Sequence, residues 1–145
     1  MGCIIAPDYT GAARAMQAAI SQSGVAADAI GYINAHATGT KEGDRSEAKA
    51  IRHVFGDSLK ATKVSATKSM TGHLFGAAGG IEAIIALQAL RNGMLPPTIN
   101  LDAPDEECDI PHICNEAIAT DTRYALSNAF GFGGHNASIV FRKYE

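Results

Sequence analysis

From Leu74 to Leu90 the chain reads as part of a helix whose only charge is Glu82 and whose other residues are mostly Gly, Ala, Ile and Leu. A surface helix carries a polar face, and this one has none. Glu82 and Gln88 interrupt the apolar run too much for a membrane span. Such a helix requires cover on all sides, and its small residues let neighbours approach closely. A chain of 145 residues can cover one side of it easily and both sides with difficulty. We therefore expect a second layer, from another chain or another part of a longer protein. Complete burial within one compact domain is the alternative.

Composition agrees with one domain spanning residues 1–145. Hydrophobic residues make up 46% and charged residues 19%, enough for a packed core. With 12 basic against 15 acidic residues and no basic block, neither nucleic acid nor an anionic membrane is an expected partner. Cys3, Cys108 and Cys114 have no framework spacing, which fits a reduced, cytoplasmic setting. No secretory signal is read before the first helix. Met1-Gly2-Cys3 hints at acylation, but Ala6 stands where that motif takes Ser or Thr.

Periodicity gives an α/β order. Thr10 can cap a helix running to about Ser23, with Ala12, Ala15, Met16, Ala19 and Ile20 inward and Gly24 as its stop. Residues 30–35 read as a strand. Asp44 to Phe55 read as a helix with Ala48, Ile51 and Phe55 inward and Arg45, Lys49 and Arg52 outward. Lys63 to Ala66 form a short strand, and His73 to Arg91 a third helix ended by Gly93 and Pro96-Pro97. Residues 98–122 look irregular. Tyr124–Ala129 and Ala137–Phe141 read as two final strands around a Gly-rich loop.

Three loops just past strands hold the chemistry, and strand carboxyl ends are where α/β sheets place ligands. They are His36-Ala37-Thr38-Gly39-Thr40, Thr67-Lys68-Ser69-Met70-Thr71-Gly72-His73, and Phe130-Gly131-Phe132-Gly133-Gly134-His135-Asn136. His36 and His73 offer imidazoles for proton transfer or hydrogen-bond donation. A helix start at His73 would favour its uncharged ring as a neutral N–H donor, and Lys68 adds a cation. A zinc centre would need an HxH, HExxH or CxxC pairing, which the chain lacks. His53 and His112 read as solvated surface residues. The glycines of Gly72, Gly76 and Gly79 could suggest a nucleotide turn, but their spacing is not G-x-G-x-x-G and close packing explains them better.

At these loops the sequence resembles the carboxy-terminal half of a β-ketoacyl-[acyl-carrier-protein] synthase of the elongating type, among the thiolase-like condensing enzymes. The residues that carry the resemblance are Asn34-Ala35-His36-Ala37-Thr38-Gly39-Thr40, Gly43-Asp44, Thr67 to His73, Pro96-Pro97-Thr98-Ile99-Asn100, and Asn128-Ala129-Phe130-Gly131-Phe132-Gly133-Gly134. The family often has Gly in place of Ala37, and Ser or Gly at the place of Gly39. The resemblance implies half of a thiolase-like layered fold, a mixed sheet with helices on its faces. It implies decarboxylative condensation of malonyl, held on the phosphopantetheine arm of an acyl carrier protein, with an acyl thioester in fatty acid biosynthesis, and no cofactor. His36 and His73 would stabilise the enolate oxygen, with Lys68 and the acidic Glu47 tuning them and Asp44 in support. Thr38 and Thr40 would hold the pantetheine arm. Phe132 would gate and donate its backbone N–H, while Phe130, Gly131, Gly133 and Gly134 shape the substrate loop.

The resemblance also implies a nucleophilic cysteine in an amino-terminal half, at a strand-to-helix turn. None of the three cysteines fits that place: Cys3 is in a tail, Cys108 sits among Glu106, Glu107 and Asp109, and Cys114 lacks a nearby cation. The expected partners are the carrier protein, a cysteine-bearing half and a homodimer mate, with no condensation by this polypeptide alone. A non-catalytic partner or scaffold subunit of the same fold is the alternative.

Overall fold

The computed structural model describes residues 8–145. Cys3, with the acylation-like start, lies outside the described residues.

The α-helices and strands, in order, are α1 (Tyr9–Ser23), β1 (Ile30–Asn34), α2 (Lys41–Phe55), β2 (Lys63–Ser65), α3 (Lys68–Thr71), α4 (Ala78–Asn92), β3 (Met94–Leu95), β4 (Ile118–Ala119), β5 (Tyr124–Phe130) and β6 (Asn136–Arg142). The main sheet has the order β2-β1-β5-β6. β2, β1 and β5 run parallel, and β6 closes antiparallel on β5. This is the mixed sheet that the sequence implies. Parallel pairing places the ends of β1, β2 and β5 at one edge, so all three loops emerge on the same side.

Strand alternation splits the core in two. Ile33 and Leu126 face α1 and α2, packing with Met16, Ala50, Ile51 and Phe55. Their neighbours Tyr32 and Ala125 face the other way, packing with Ala86, Ala89 and Leu90 of α4. The β1–β5 register slips between Ile30 and Tyr32, so Ile30 joins the first cluster despite its even spacing from Tyr32.

Two helix readings need correction. Asp8, not Thr10, caps α1: its carboxylate accepts the Thr10 N–H at 3.0 Å. The helix read from His73 to Arg91 starts later, at Ala78. α3 ends at Gly72, whose φ of 74° is left-handed, a 3₁₀ turn covers Phe75–Ala77, and α4 begins at Ala78. His73 therefore sits ahead of α4 and not in its first turn. By contrast, α4 is covered on one side only within this chain, as its apolar pattern and the chain length lead one to expect, and the alternative of complete burial within one compact domain does not hold. Gly80, Ile84, Leu87 and Arg91, spaced to share one helical face, are exposed. Ile84 on this face is 59% exposed.

Residues 98–115 are irregular but firmly tied. Val64 donates to the Pro111 carbonyl, Ile113 donates back to Val64, and Thr98 donates to Ile113. Arg45 of α2 pairs with Asp105 at 2.9 Å and Glu107 at 3.1 Å on the outer side. No helix among the described residues is long and apolar enough to cross a membrane.

Candidate active site

The imidazoles of His36 and His73 meet at the sheet edge. Their ring centroids are 5.5 Å apart and nearly perpendicular, at 85°. β1 delivers His36 and the α3 turn delivers His73. The third loop contributes Phe130, whose ring lies 5.8 Å from that of His36.

Each imidazole has a different support. Glu47 of α2 is buried and accepts the backbone N–H groups of His36 at 2.9 Å and Ala37 at 2.7 Å. The Asn128 amide on β5 donates to it at 3.0 Å. Burial pushes the Glu47 carboxyl up, and these three donors oppose the shift. Glu47 thus holds the His36 backbone, not the ring and not Lys68. Burial holds the His36 ring down at about 4, with the charge of Lys68 adding to that effect. The ring is neutral at physiological pH.

Lys68 places Nζ 3.4 Å from His36 Nδ1. Its ion-pair partner is Glu82 of α4, at 2.5 Å, with both side chains almost fully buried. Burial raises the Glu82 carboxyl and Lys68 counteracts it. The other carboxylate oxygen, Oε2, has no protein partner. His73 is fixed from its own strand of chain: the Phe75 backbone N–H donates to Nδ1 at 3.2 Å. That bond makes Nδ1 an acceptor and leaves the proton on Nε2. A neutral donor at His73 therefore arises from a local backbone bond, not from the helix start expected there. Phe75 reaches it at φ 50°, a left-handed conformation that costs a non-glycine residue about 1–3 kcal/mol.

The remaining candidates occupy the rim. The Thr38 and Thr40 hydroxyls bond each other at 2.9 Å. Asp44 accepts the Gly39 N–H at 3.3 Å, pinning that turn, while burial raises its carboxyl. A Cβ on Gly43 would lie 2.5 Å from Thr40 Oγ1, so any larger residue there would displace the Thr40 hydroxyl. Gly131 donates to the His135 carbonyl at 2.8 Å, and Gly133 and Gly134 take left-handed conformations, turning the loop outward. Phe132 stands 82% exposed. A cavity of about 510 Å³ lies behind the site, lined by Ala37, Asp44, Lys68, His73, Cys108 and His112 among others. His112 is half-buried and bonds the Cys108 carbonyl at 2.8 Å, correcting its reading as a solvated residue. His53 is exposed, edge-on to Tyr9. Burial pushes the Cys108 thiol up, and Asp105 and Asp44 push it further. Among the described residues no group of three or more His, Cys, Asp or Glu side chains could hold a metal.

Sequence reading missed Glu82, Asn128 and Phe75. The signal for Glu82 was available: a lone charge on an apolar helix demands a buried partner.

Comparison with known proteins decides the family. The profile described as "Beta-ketoacyl synthase, C-terminal domain" matches residues 2–102. The chain belongs to the β-ketoacyl synthase family. It is 51% identical over 140 residues to 3-oxoacyl-[acyl-carrier-protein] synthase 2 of Staphylococcus aureus strain COL, an alignment that covers 97% of this chain and 34% of that protein. A β-ketoacyl synthase from Burkholderia phymatum superposes with TM-score 0.92 at 37% identity, over 99% of this chain and 35% of that one. A polyketide ketosynthase solved with its acyl carrier protein superposes with TM-score 0.89 at 32% identity, over 94% of this chain and 34% of that one. The chain thus has the fold of the carboxy-terminal part of a thiolase-like β-ketoacyl synthase and spans about a third of these relatives' length.

Proposed function

We propose that this chain is the histidine-bearing part of an elongating β-ketoacyl synthase, and that His36 and His73 stabilise the enolate formed when malonyl loses carbon dioxide. The observation that carries this reading is the edge-on imidazole pair, 5.5 Å between centroids, one ring neutral through burial and the other holding its proton on Nε2. Loss of the carboxylate leaves an electron pair that delocalises onto the thioester oxygen. Two uncharged N–H donors fixed before the reaction stabilise that oxygen without reorganising. On this reading Lys68, anchored by Glu82, orients the His36 ring and keeps it unprotonated.

Malonyl reaches the site on the phosphopantetheine arm of an acyl carrier protein, passing Thr38 and Thr40. The exposed Phe132 and its glycine neighbours form the movable wall of the acyl thioester site. The related ketosynthase solved with its carrier protein supports that partner. The acyl group is carried by a cysteine outside this chain, because Cys108 is buried and its thiol is pushed up by burial and two aspartates. The cysteine-bearing part covers the exposed side of α4 and a second copy completes a dimer.

The test joins this chain to the first two thirds of the Staphylococcus aureus synthase and follows decarboxylation of malonyl on acyl carrier protein. His73→Ala is expected to lower the rate at least 100-fold, the usual loss for one such donor. A His73→Ala assembly as fast as the unmodified one overturns the assignment. A scaffold role, the competing reading, has no use for two imidazoles held edge-on to each other at neighbouring strand ends.

A further inference from the structure

The ring of Phe75 stacks on the imidazole of His73, with centroids 5.1 Å apart and planes 17° from parallel. On another side His73 meets His36 edge-on, at 5.5 Å and 85°. The Phe75 backbone N–H holds Nδ1. We propose that Phe75 is a positioning residue for His73, its ring fixing the plane of the imidazole and its left-handed backbone fixing the tautomer.

Phe suits this place poorly for any other purpose. Its φ is 50°, where glycine is at ease and a bulky residue is strained. Its side chain is 79% exposed, so it contributes little to the core of this chain. The backbone N–H alone could come from any residue except proline, and glycine would supply it without strain. What phenylalanine adds is the aromatic face against His73. One hydrogen bond leaves an imidazole free to swing about its Cβ–Cγ bond. A stacked ring on one face, together with the His36 edge, removes that freedom. An aromatic pair of this kind shifts an orientation equilibrium by about two- to twelvefold. That range is the loss expected when the stack is removed.

The inference rests on the proposed role of His73 as an oxyanion donor, so its test has two readouts. In the joined assembly, Phe75→Ala is expected to lower kcat for malonyl decarboxylation about fivefold with KM within twofold of the unmodified value. Phe75→Tyr, which keeps the stacking face, is expected to restore kcat, and Phe75→Leu, which keeps bulk alone, is not. In the ¹⁵N-histidine-labelled chain, the His73 ring nitrogen signals are expected to move in Phe75→Gly and hold in Phe75→Tyr. Unchanged kcat in Phe75→Ala, or rescue by Leu as complete as by Tyr, overturns the proposal. So do His73 signals that ignore Phe75→Gly. An unmodified assembly that does not decarboxylate at all, with His73 signals still dependent on Phe75, refutes the functional reading while the positioning role stands.

Discussion

At the scale of single residues the site is organised by buried charge. Lys68 and Glu82 lie 2.5 Å apart and almost out of water, so each is tolerable only because of the other. Lys68→Ala leaves Glu82 unpaired and is expected to destabilise the fold by about 3–5 kcal/mol, measured by urea unfolding. A double variant, Lys68→Met with Glu82→Leu, is expected to recover most of that loss while losing activity. His36 gives a second measurable consequence. Its ring titrates near 4 in the folded chain against an ordinary value of 6.5, so the unfolded chain binds its proton first as pH falls. Stability contributed by the neutral ring is present above pH 6.5 and is lost between pH 6.5 and about 4. The loss is about 2 kcal/mol after allowing for partial solvent screening. Subtracting the same profile for His36→Gln isolates it. If the two profiles run parallel over this window, the ring is not held neutral by its surroundings.

At the scale of elements, α4 is the informative one. Its inner face is packed to completion: Ala86 is fully buried against the sheet. Ala86→Leu is expected to overpack the contact and destabilise the fold by about 1–3 kcal/mol in thermal or urea unfolding. Ile84→Lys on the outer face is expected to leave stability within about 0.5 kcal/mol, and to weaken association with the cysteine-bearing part. The contrast between those faces was half readable in the sequence. An all-apolar helix announces that it will be covered, and the lack of a polar face predicts the bare side of α4. It could not predict that α4 begins at Ala78 and not at His73, because nothing in the local pattern marks the 3₁₀ turn over Phe75–Ala77. The strand ends were readable from period and turn residues, and with them the convergence of His36, Lys68 and His73. The long-range partners were not: Glu47 is bound by Asn128, 81 positions later, through a contact no local pattern encodes.

At the scale of the whole molecule, Ile84, Leu87, Phe75 and Met70 are apolar side chains left exposed among the described residues, and a cluster of such residues marks an interaction surface. The isolated chain is expected to self-associate in sedimentation and to bind a hydrophobic dye. Addition of the cysteine-bearing part should reduce both signals. A monodisperse monomer without dye binding would contradict the proposed second layer. Incubation with an acyl thioester is expected to leave Cys108 and Cys114 unmodified by mass spectrometry, and a stoichiometric adduct on either would reverse the assignment of the nucleophile to another polypeptide segment. The turn bearing Lys68 is stitched from downstream: Ala66 donates to the Thr98 hydroxyl at 2.8 Å, and Ile99 donates to that of Ser69 at 3.0 Å. His36 in turn relies on Glu47, and Glu47 on Asn128. During synthesis on a ribosome, then, His36 and the Lys68 turn emerge well before the downstream segments that brace them, and the site can set only after nearly all of this chain has left the exit tunnel.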